Sequence, residues 1–120
     1  MTLYTSYFGN HRRFPETMST VAICAKPPED FTGAHYKALA PKYQTLMNYK
    51  ADGDTAKFRN EYKETVLKQL NPVSVVNDLI NLTGSNKILM LCYEKKGSFC
   101  HRHIVAEWLK LAGYEVEELD

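Results

Sequence analysis

The sequence predicts a single α/β domain spanning residues 1–120, in which helices flank a mainly parallel, four-stranded, Rossmann-like sheet. Three observations support this class. Four strand-like segments are separated by helix-like ones, an order typical of a parallel sheet between helices. The segment KILMLCYE (87–94) is apolar without alternation, as expected of a strand that helices cover on both faces. A chain of 120 residues is about the size of one domain.

The overall composition is that of an ordinary globular chain and excludes several classes of protein. The apolar fraction of 44% and the charged fraction of 24% are usual for globular domains. A net charge of +1 gives no global reason to expect nucleic acid, membrane or acidic partners. No apolar run is long enough to span a membrane, and the N-terminal residues lack the pattern of a secretory signal. Because the chain has three cysteines, an odd count, we expect a cytoplasmic protein with reduced, free thiols.

Two N-terminal segments predict the first half of the sheet. Residues 3–8, LYTSYF, are rich in tyrosine and threonine and end at a Gly-Asn pair, which predicts a first strand. Residues 19–26, STVAICAK, predict a second strand that two prolines end. A short turn near 34–39 and a helix from about 41 to 50 should follow, because Pro41 suits the first turn of a helix.

Two further helices are predicted from apolar stripes and from their capping residues. Asp54 is suited to cap a helix in which apolar side chains recur every fourth residue up to about Leu70. Asn71 and Pro72 form the cap-then-proline pair that begins the next helix, and Gly84 ends it. Each helix therefore has one apolar face that can pack on the sheet.

The C-terminal third predicts a strand, a loop, a helix and an edge strand. We place strand 87–94 in the interior of the sheet, between the first two strands. A helix from about 99 to 112 and an edge strand at 114–119 should follow. Residues three and four apart share a helix face, so Trp108 is expected to be largely buried with Ile104 and Leu111 against the sheet.

The polar segment EKKGSFCHRH (94–103), between that strand and the last helix, is the strongest candidate for a functional site. In open α/β sheets, ligands collect beyond the carboxyl ends of the strands. If Ser98 is the N-cap, the first N–H groups and the dipole of the helix favour an anion there. Arg102 could reach either a ligand phosphate or a neighbouring carboxylate. With Arg102 on a phosphate, the segment predicts an anion-binding turn first.

A cysteine and a histidine in the same segment support other interpretations. Cys100, in a first helical turn beside His101 and Arg102, has surroundings that lower a thiol pKa, so thiol chemistry is the second hypothesis. A buried, inert Cys100 and a plain polar loop remain alternatives. A metal site that adds Cys92 and His103 to this pair is disfavoured, because its spacing matches no usual zinc pattern and adjacent helical residues point in different directions. We expect no cofactor.

Candidate ligand-binding side chains also come from other segments. Parallel strands bring their carboxyl ends to one edge, so the ends of the first two strands would lie beside the turn. Tyrosines alternate with cations in the middle of the chain, which suits the base and phosphate of a nucleotide, although half-buried helix tyrosines give the same pattern. The candidates are Glu94, Cys100 and His101 as catalytic residues, and Ser6, Tyr7, Lys26, Lys42, Ser98 and Arg102 as ligand-binding residues.

The run LCYEKKGSFCHRHIVAEWL (91–109) resembles the family catalogued as domain of unknown function 488, small bacterial and phage proteins. The likeness implies a compact α/β fold and a polar pocket lined by the Cys-His-Arg turn, but no established activity. The chain departs from the better-known branch at the end of its second strand, where Lys26 stands as the only charge in place of an acidic-then-arginine pair. The residues that carry the likeness are Cys92, Glu94, Cys100, His101 and Arg102.

Two functions of different classes remain open. The first is an enzyme or sensor that binds or processes a nucleotide or other phosphate-bearing ligand, with Arg102 on the phosphate and Glu94 or His101 handling protons. The second is a non-enzymatic, phage-type protein that binds a host protein, which the small size and near-neutral charge favour. The expected partner is a small anionic or nucleotide ligand, with nucleic acid and a host protein as alternatives and no membrane.

Overall fold

The computed structural model describes residues 1–94 and 99–119, and within them five strands form one sheet. Every pairing between neighbouring strands is parallel. The predicted fold class is confirmed, with a short additional strand where a turn was predicted. The strands are β1 (Thr2–Tyr7), β2 (Ser19–Ala22), β3 (Ala34–His35), β4 (Ile88–Cys92) and β5 (Glu115–Glu118), in the order β3-β2-β4-β1-β5 across the sheet.

Four α-helices and three short 3-10 segments connect these strands in the described part of the chain. No helix among the described residues is long and apolar enough to cross a membrane. The helices are α1 (Tyr43–Asp52), α2 (Thr55–Thr65), α3 (Pro72–Thr83) and α4 (His101–Leu111), and the 3-10 segments are Phe8–Arg13, Lys37–Leu39 and Leu67–Gln69.

The residues predicted to cap α2 and α3 make the hydrogen bonds that capping requires. The backbone N–H of Lys57 donates to the Asp54 carboxylate at 3.1 Å, and that of Val73 donates to the side-chain oxygen of Asn71 at 2.9 Å. These bonds satisfy first-turn donors that have no partner inside the helix. Gly84 ends α3 with a φ of 68°, in the left-handed region that glycine adopts without steric cost.

Strand β4 lies at the centre of the sheet, as its uniformly apolar sequence predicts. It pairs with β1 on one side and with β2 on the other. All of its residues are buried, and Ile88 and Met90 belong to the core cluster with side chains of α2, α3 and α4. A strand without a polar face cannot lie at a solvated edge without exposing apolar surface, so the interior position follows from its composition.

Strand β2 ends at Ala22, earlier than the predicted end at Lys26. The N–H of Ile23 still donates to the carbonyl oxygen of Leu91, and the chain then leaves the sheet. The residues from Cys24 to Lys26 therefore form a loop at the carboxyl edge rather than a continuation of the strand. This loop lines part of the cavity at that edge.

The inward face of α4 differs from the predicted one. Val105 and Leu109 are fully buried, whereas Leu111 is 89% exposed and Trp108 is only partly buried at the edge of the core. The predicted burial is therefore correct for Ile104, which is fully buried, and wrong for Trp108 and Leu111. Val105 and Leu109, one turn apart, mark the centre of the buried face, and Leu111 lies about 120° from Val105 around the helix at 100° per residue.

The two leucines of α4 provide a test of this helix face. Leu109→Ala should lower the free energy of unfolding by about 2–5 kcal/mol, because it leaves a cavity in the core. Leu111→Ala should change it by less than about 0.5 kcal/mol, because the side chain is exposed. Urea denaturation of both variants measures the difference, and equal losses would contradict the assignment of the face.

Candidate functional site

A cavity of about 210 Å³ lies beyond the carboxyl ends of β2 and β4, at the edge where the sequence predicts a ligand site. The loop after β2, the end of β4 and the start of α4 contribute its polar lining. Residues of α1 and α2, together with Phe99 before α4, contribute an apolar wall. The polar and sulfur-containing lining residues are Cys24, Lys26, Cys92, Glu94, Cys100 and His101, and the apolar wall includes Leu46, Tyr49, Phe58 and Phe99.

Two cysteines from different secondary-structure elements meet at this cavity. Cys92 is the last residue of β4, and Cys100 is the N-cap of α4, so the strand end and the helix start bring their side chains together. Their sulfur atoms are joined in a disulfide, and both residues are buried. The expectation of three free thiols is therefore wrong, since Cys24 alone is a free cysteine among the described residues.

The start of α4 also differs from the prediction. The helix begins at His101 with Cys100 as its N-cap, two residues later than the predicted start, so the proposed capping role of Ser98 is wrong. The side chain of Ser98 and the two lysines before it lie outside the described residues. Cys100 has extended backbone angles, φ −150° and ψ 148°, so it does not follow the helical spacing assumed for it. This extended conformation lets Cys100 and His101 approach the same point.

His101 is held in one orientation and one protonation state. Its Nε2 lies 2.7 Å from the carbonyl oxygen of Ile23, so this nitrogen carries the proton and donates. Burial lowers the pKa of His101 to about 4, and the ring is therefore neutral near pH 7. Nδ1 then has a free lone pair, and it lies 3.7 Å from the sulfur of Cys100. The histidine thus presents a hydrogen-bond acceptor to the sulfur pair.

Arg102, which was expected to pair with a ligand phosphate, has its partners within the protein. Its Nε and Nη2 donate to the carboxylate of Glu118 at 2.9–3.1 Å. Its Nη1 donates to the sulfur of Cys92 at 3.3 Å and to the carbonyl oxygen of Glu94. The ring of Tyr7 lies 5.7 Å from the guanidinium carbon, and the side chain of Arg102 is 0% exposed. Arg102 therefore holds the surroundings of the cavity together.

The contribution of the Arg102–Glu118 ion pair to stability can be tested by a substitution in β5. Glu118→Gln should lower the free energy of unfolding by about 3–5 kcal/mol, because it leaves the buried guanidinium of Arg102 without a counter-charge. Glu117→Gln is the matched control, since Glu117 lies on the same strand and is exposed, and should cost less than about 0.5 kcal/mol. Chemical denaturation at neutral pH compares them, and a loss no larger than that of the control would show that the pair does not stabilise the fold.

Four of the predicted site residues line the cavity together, namely Lys26, Glu94, Cys100 and His101. Cys100 and His101 are buried, whereas Lys26 and Glu94 are exposed and place one positive and one negative charge on the solvent side. The hydroxyl of Tyr93 donates to the carbonyl oxygen of Lys26 and links the loop after β2 to the end of β4. The cavity therefore has a buried inner part with sulfur and imidazole groups and an exposed, charged outer part.

The other described candidates lie outside the cavity lining. Ser6 is buried, and its hydroxyl donates to the carbonyl oxygen of Leu119 at 3.2 Å. Tyr7 lies against the buried guanidinium described above. Lys42 is exposed and follows Pro41, which is a lining residue. Ser6 and Tyr7 thus contact the β5 side of the fold, while Lys42 lies near the cavity.

The sequence reasoning missed the aromatic wall of the cavity. Tyr49 of α1, Phe58 of α2 and Phe99 pack against one another with ring centroids 5.1–5.5 Å apart. Phe58 was recognised as part of an apolar stripe, but no local pattern indicates that three aromatic residues from separate elements meet. Their contact depends on how α1 and α2 pack beside the start of α4.

The sulfur and imidazole groups also form a potential metal-binding cluster. The Sγ atoms of Cys92 and Cys100 and a ring nitrogen of His101 all lie within 4.8 Å of one another. These are three of the four side chains in the metal site that the sequence spacing disfavours. The fourth, His103, does not belong to the cluster found among the described residues.

Comparison with known proteins gives a family match. The family model DUF488-N3a, described as "Active DUF488-N3 subclade", matches residues 5–113. The matched range includes all of the cavity-lining residues named above. No curated protein and no solved structure matches the chain.

Proposed function

This chain belongs to the DUF488 family, in the subclade described as active, and we propose that it is an enzyme that processes a nucleotide-type ligand in the cavity at the start of α4. The observation that carries the proposal is that Lys26, Glu94, Cys100 and His101, from three separate segments, line one cavity. A concave site in which several titratable groups converge is the usual location of catalysis.

The size and the walls of the cavity support a planar ring as the part of the ligand that enters. Its volume of about 210 Å³ is below the roughly 300–1,000 Å³ of pockets for drug-sized molecules, so a single ring fits better than a whole nucleotide. Tyr49 and Phe99 provide aromatic surface, on which a nucleobase can stack. The phosphate would then remain at the exposed side, where Lys26 supplies a positive charge and Lys42 lies nearby.

The roles of the site residues follow from their burial. Arg102 acts as a positioning residue in this proposal, because its guanidinium is buried and paired with Glu118. When the cysteine pair is reduced, Nδ1 of the neutral His101 ring can accept a hydrogen bond from the Cys100 thiol, which orients that thiol at the cavity wall. Glu94 lines the same cavity from its exposed side and is available for proton transfer.

The alternative function, a non-enzymatic protein that binds a host protein, has less support. Such a function needs an open surface of complementary shape and polarity. The polar groups that converge here instead line a cavity, and two of them, Cys100 and His101, are buried. This placement favours a small ligand over a protein partner.

The proposed recognition of the phosphate can be tested by calorimetric titration of the reduced chain. A panel of nucleosides and their 5′-monophosphates should include a base for which the monophosphate binds about tenfold more tightly than the nucleoside, as expected from a hydrogen bond to a charged group. Lys26→Met should abolish that difference and leave nucleoside binding unchanged.

The matched control is Lys87→Met. Lys87 is an exposed lysine at the amino end of β4, on the opposite edge of the sheet, and its loss changes the net charge equally. This variant should retain the full preference for the monophosphate. If no member of the panel binds, or if both variants behave alike, the proposed ligand class is wrong.

A further inference from the structure

We propose that Cys92, Cys100 and His101 bind a soft divalent metal ion of the Zn²⁺ type when the two cysteines are reduced. The three donor atoms lie within 4.8 Å of one another, and all three residues are buried. Two thiolates and an imidazole form a ligand set that zinc prefers over magnesium or calcium, which favour oxygen ligands. The disulfide form of the protein cannot bind the ion in this way, because a disulfide has no thiolate.

The Cys100–His101 distance and the spacing of the two cysteine backbones suit an ion between the three side chains once the cysteines are reduced. Zn–S bonds of about 2.3 Å and Zn–N bonds of about 2.0–2.1 Å place sulfur and nitrogen ligands roughly 3.6 Å apart around a tetrahedral ion. The sulfur of Cys100 and Nδ1 of His101 are 3.7 Å apart. The Cα atoms of Cys92 and Cys100 are 7.4 Å apart, beyond the roughly 4.4–6.8 Å usual for disulfide-linked residues, so the backbone leaves room for separated sulfur atoms.

The neighbouring groups already orient the ligands. A metal-bound histidine almost always donates its other ring N–H to a carbonyl or carboxylate oxygen, which selects the tautomer. In this structure Nε2 of His101 donates to the carbonyl oxygen of Ile23, and Nδ1 faces the sulfur pair. Nη1 of Arg102 lies 3.3 Å from the sulfur of Cys92, and a nearby guanidinium favours the thiolate that a metal requires.

The objection from sequence spacing is removed by the backbone of Cys100. Consecutive residues within a helix point about 100° apart, which argues against adjacent ligands. Cys100, however, is the N-cap with extended backbone, and only His101 is helical. Two adjacent residues can therefore direct their side chains at one ion.

Three protein ligands leave one coordination position, the arrangement of catalytic rather than structural zinc sites. Because Cys92, Cys100 and His101 all line the cavity, the fourth ligand would come from the cavity as a water molecule or a ligand atom. An ion held by these three residues would supply Lewis-acid chemistry at the wall of the cavity that Glu94 also lines. The inference thus deepens the proposed function, whose reaction centre it specifies, but metal binding is measurable without any nucleotide.

Zinc content tests the inference directly. The full chain, purified without a metal-affinity step, is reduced with a phosphine, mixed with Zn²⁺, separated from free ion and measured by plasma mass spectrometry. We expect about one zinc ion per wild-type chain and loss of that ion in Cys92→Ser and in Cys100→Ser. Cys24→Ser is the matched control, since Cys24 lines the same cavity outside the cluster, and should retain the ion.

Cobalt provides a second readout that reports the ligands themselves. Co²⁺ in the wild-type site should show the visible absorption of a tetrahedral ion and a sulfur-to-cobalt charge-transfer band. His101→Ala should weaken cobalt binding while it preserves the charge-transfer band. Circular dichroism identifies any variant that does not fold.

The wild-type measurement decides the outcome even if a cysteine variant unfolds. A reduced, folded wild-type chain that retains no zinc overturns the inference. Folded Cys92→Ser and Cys100→Ser variants that retain as much zinc as the wild-type chain overturn it as well. Both results are independent of the nucleotide titrations. Failure of the metal inference and failure of the proposed ligand class can therefore be told apart.

Discussion

The buried guanidinium of Arg102 is the interaction on which the carboxyl edge of the sheet depends. It pairs with Glu118 on β5, contacts Cys92 at the end of β4 and lies against Tyr7 at the end of β1. A charge that is buried without its partner costs several kcal/mol, so all of these groups have to be in place together. One side chain in the first turn of α4 thereby ties the helix to three adjacent strands.

His101 makes the corresponding connection on the other side of β4. Its donated hydrogen bond to the carbonyl oxygen of Ile23 ties the same helical turn to the end of β2, next to the loop that lines the cavity. The cysteine pair lies between these two anchors, with a guanidinium beside Cys92 and a neutral imidazole beside Cys100. The position of the cysteine and histidine side chains is thus a consequence of how α4 is attached, and both proposals rest on that attachment.

Much of the fold could be predicted because its signals are local. The uniformly apolar run of β4 required an interior position, and Asp54 and Asn71 mark helix starts with bonds to residues two or three positions away. The buried face of α4 was harder to predict. Trp108, Leu109 and Leu111 are all apolar, but of these three only Leu109 is fully buried. Apolar character alone does not determine which of several large side chains faces the core.

For the candidate site, the sequence by itself determined the location and several residues. A polar segment after a buried strand predicted the carboxyl edge, and Glu94, Cys100 and His101 do line a cavity there. Only the tertiary structure decided that Arg102 is committed to Glu118, that two cysteines meet, and that aromatic residues from separate segments form one wall. The physical reason is that strand and helix signals depend on neighbours along the chain, whereas charge pairing, sulfur contact and cavity shape depend on how distant segments pack.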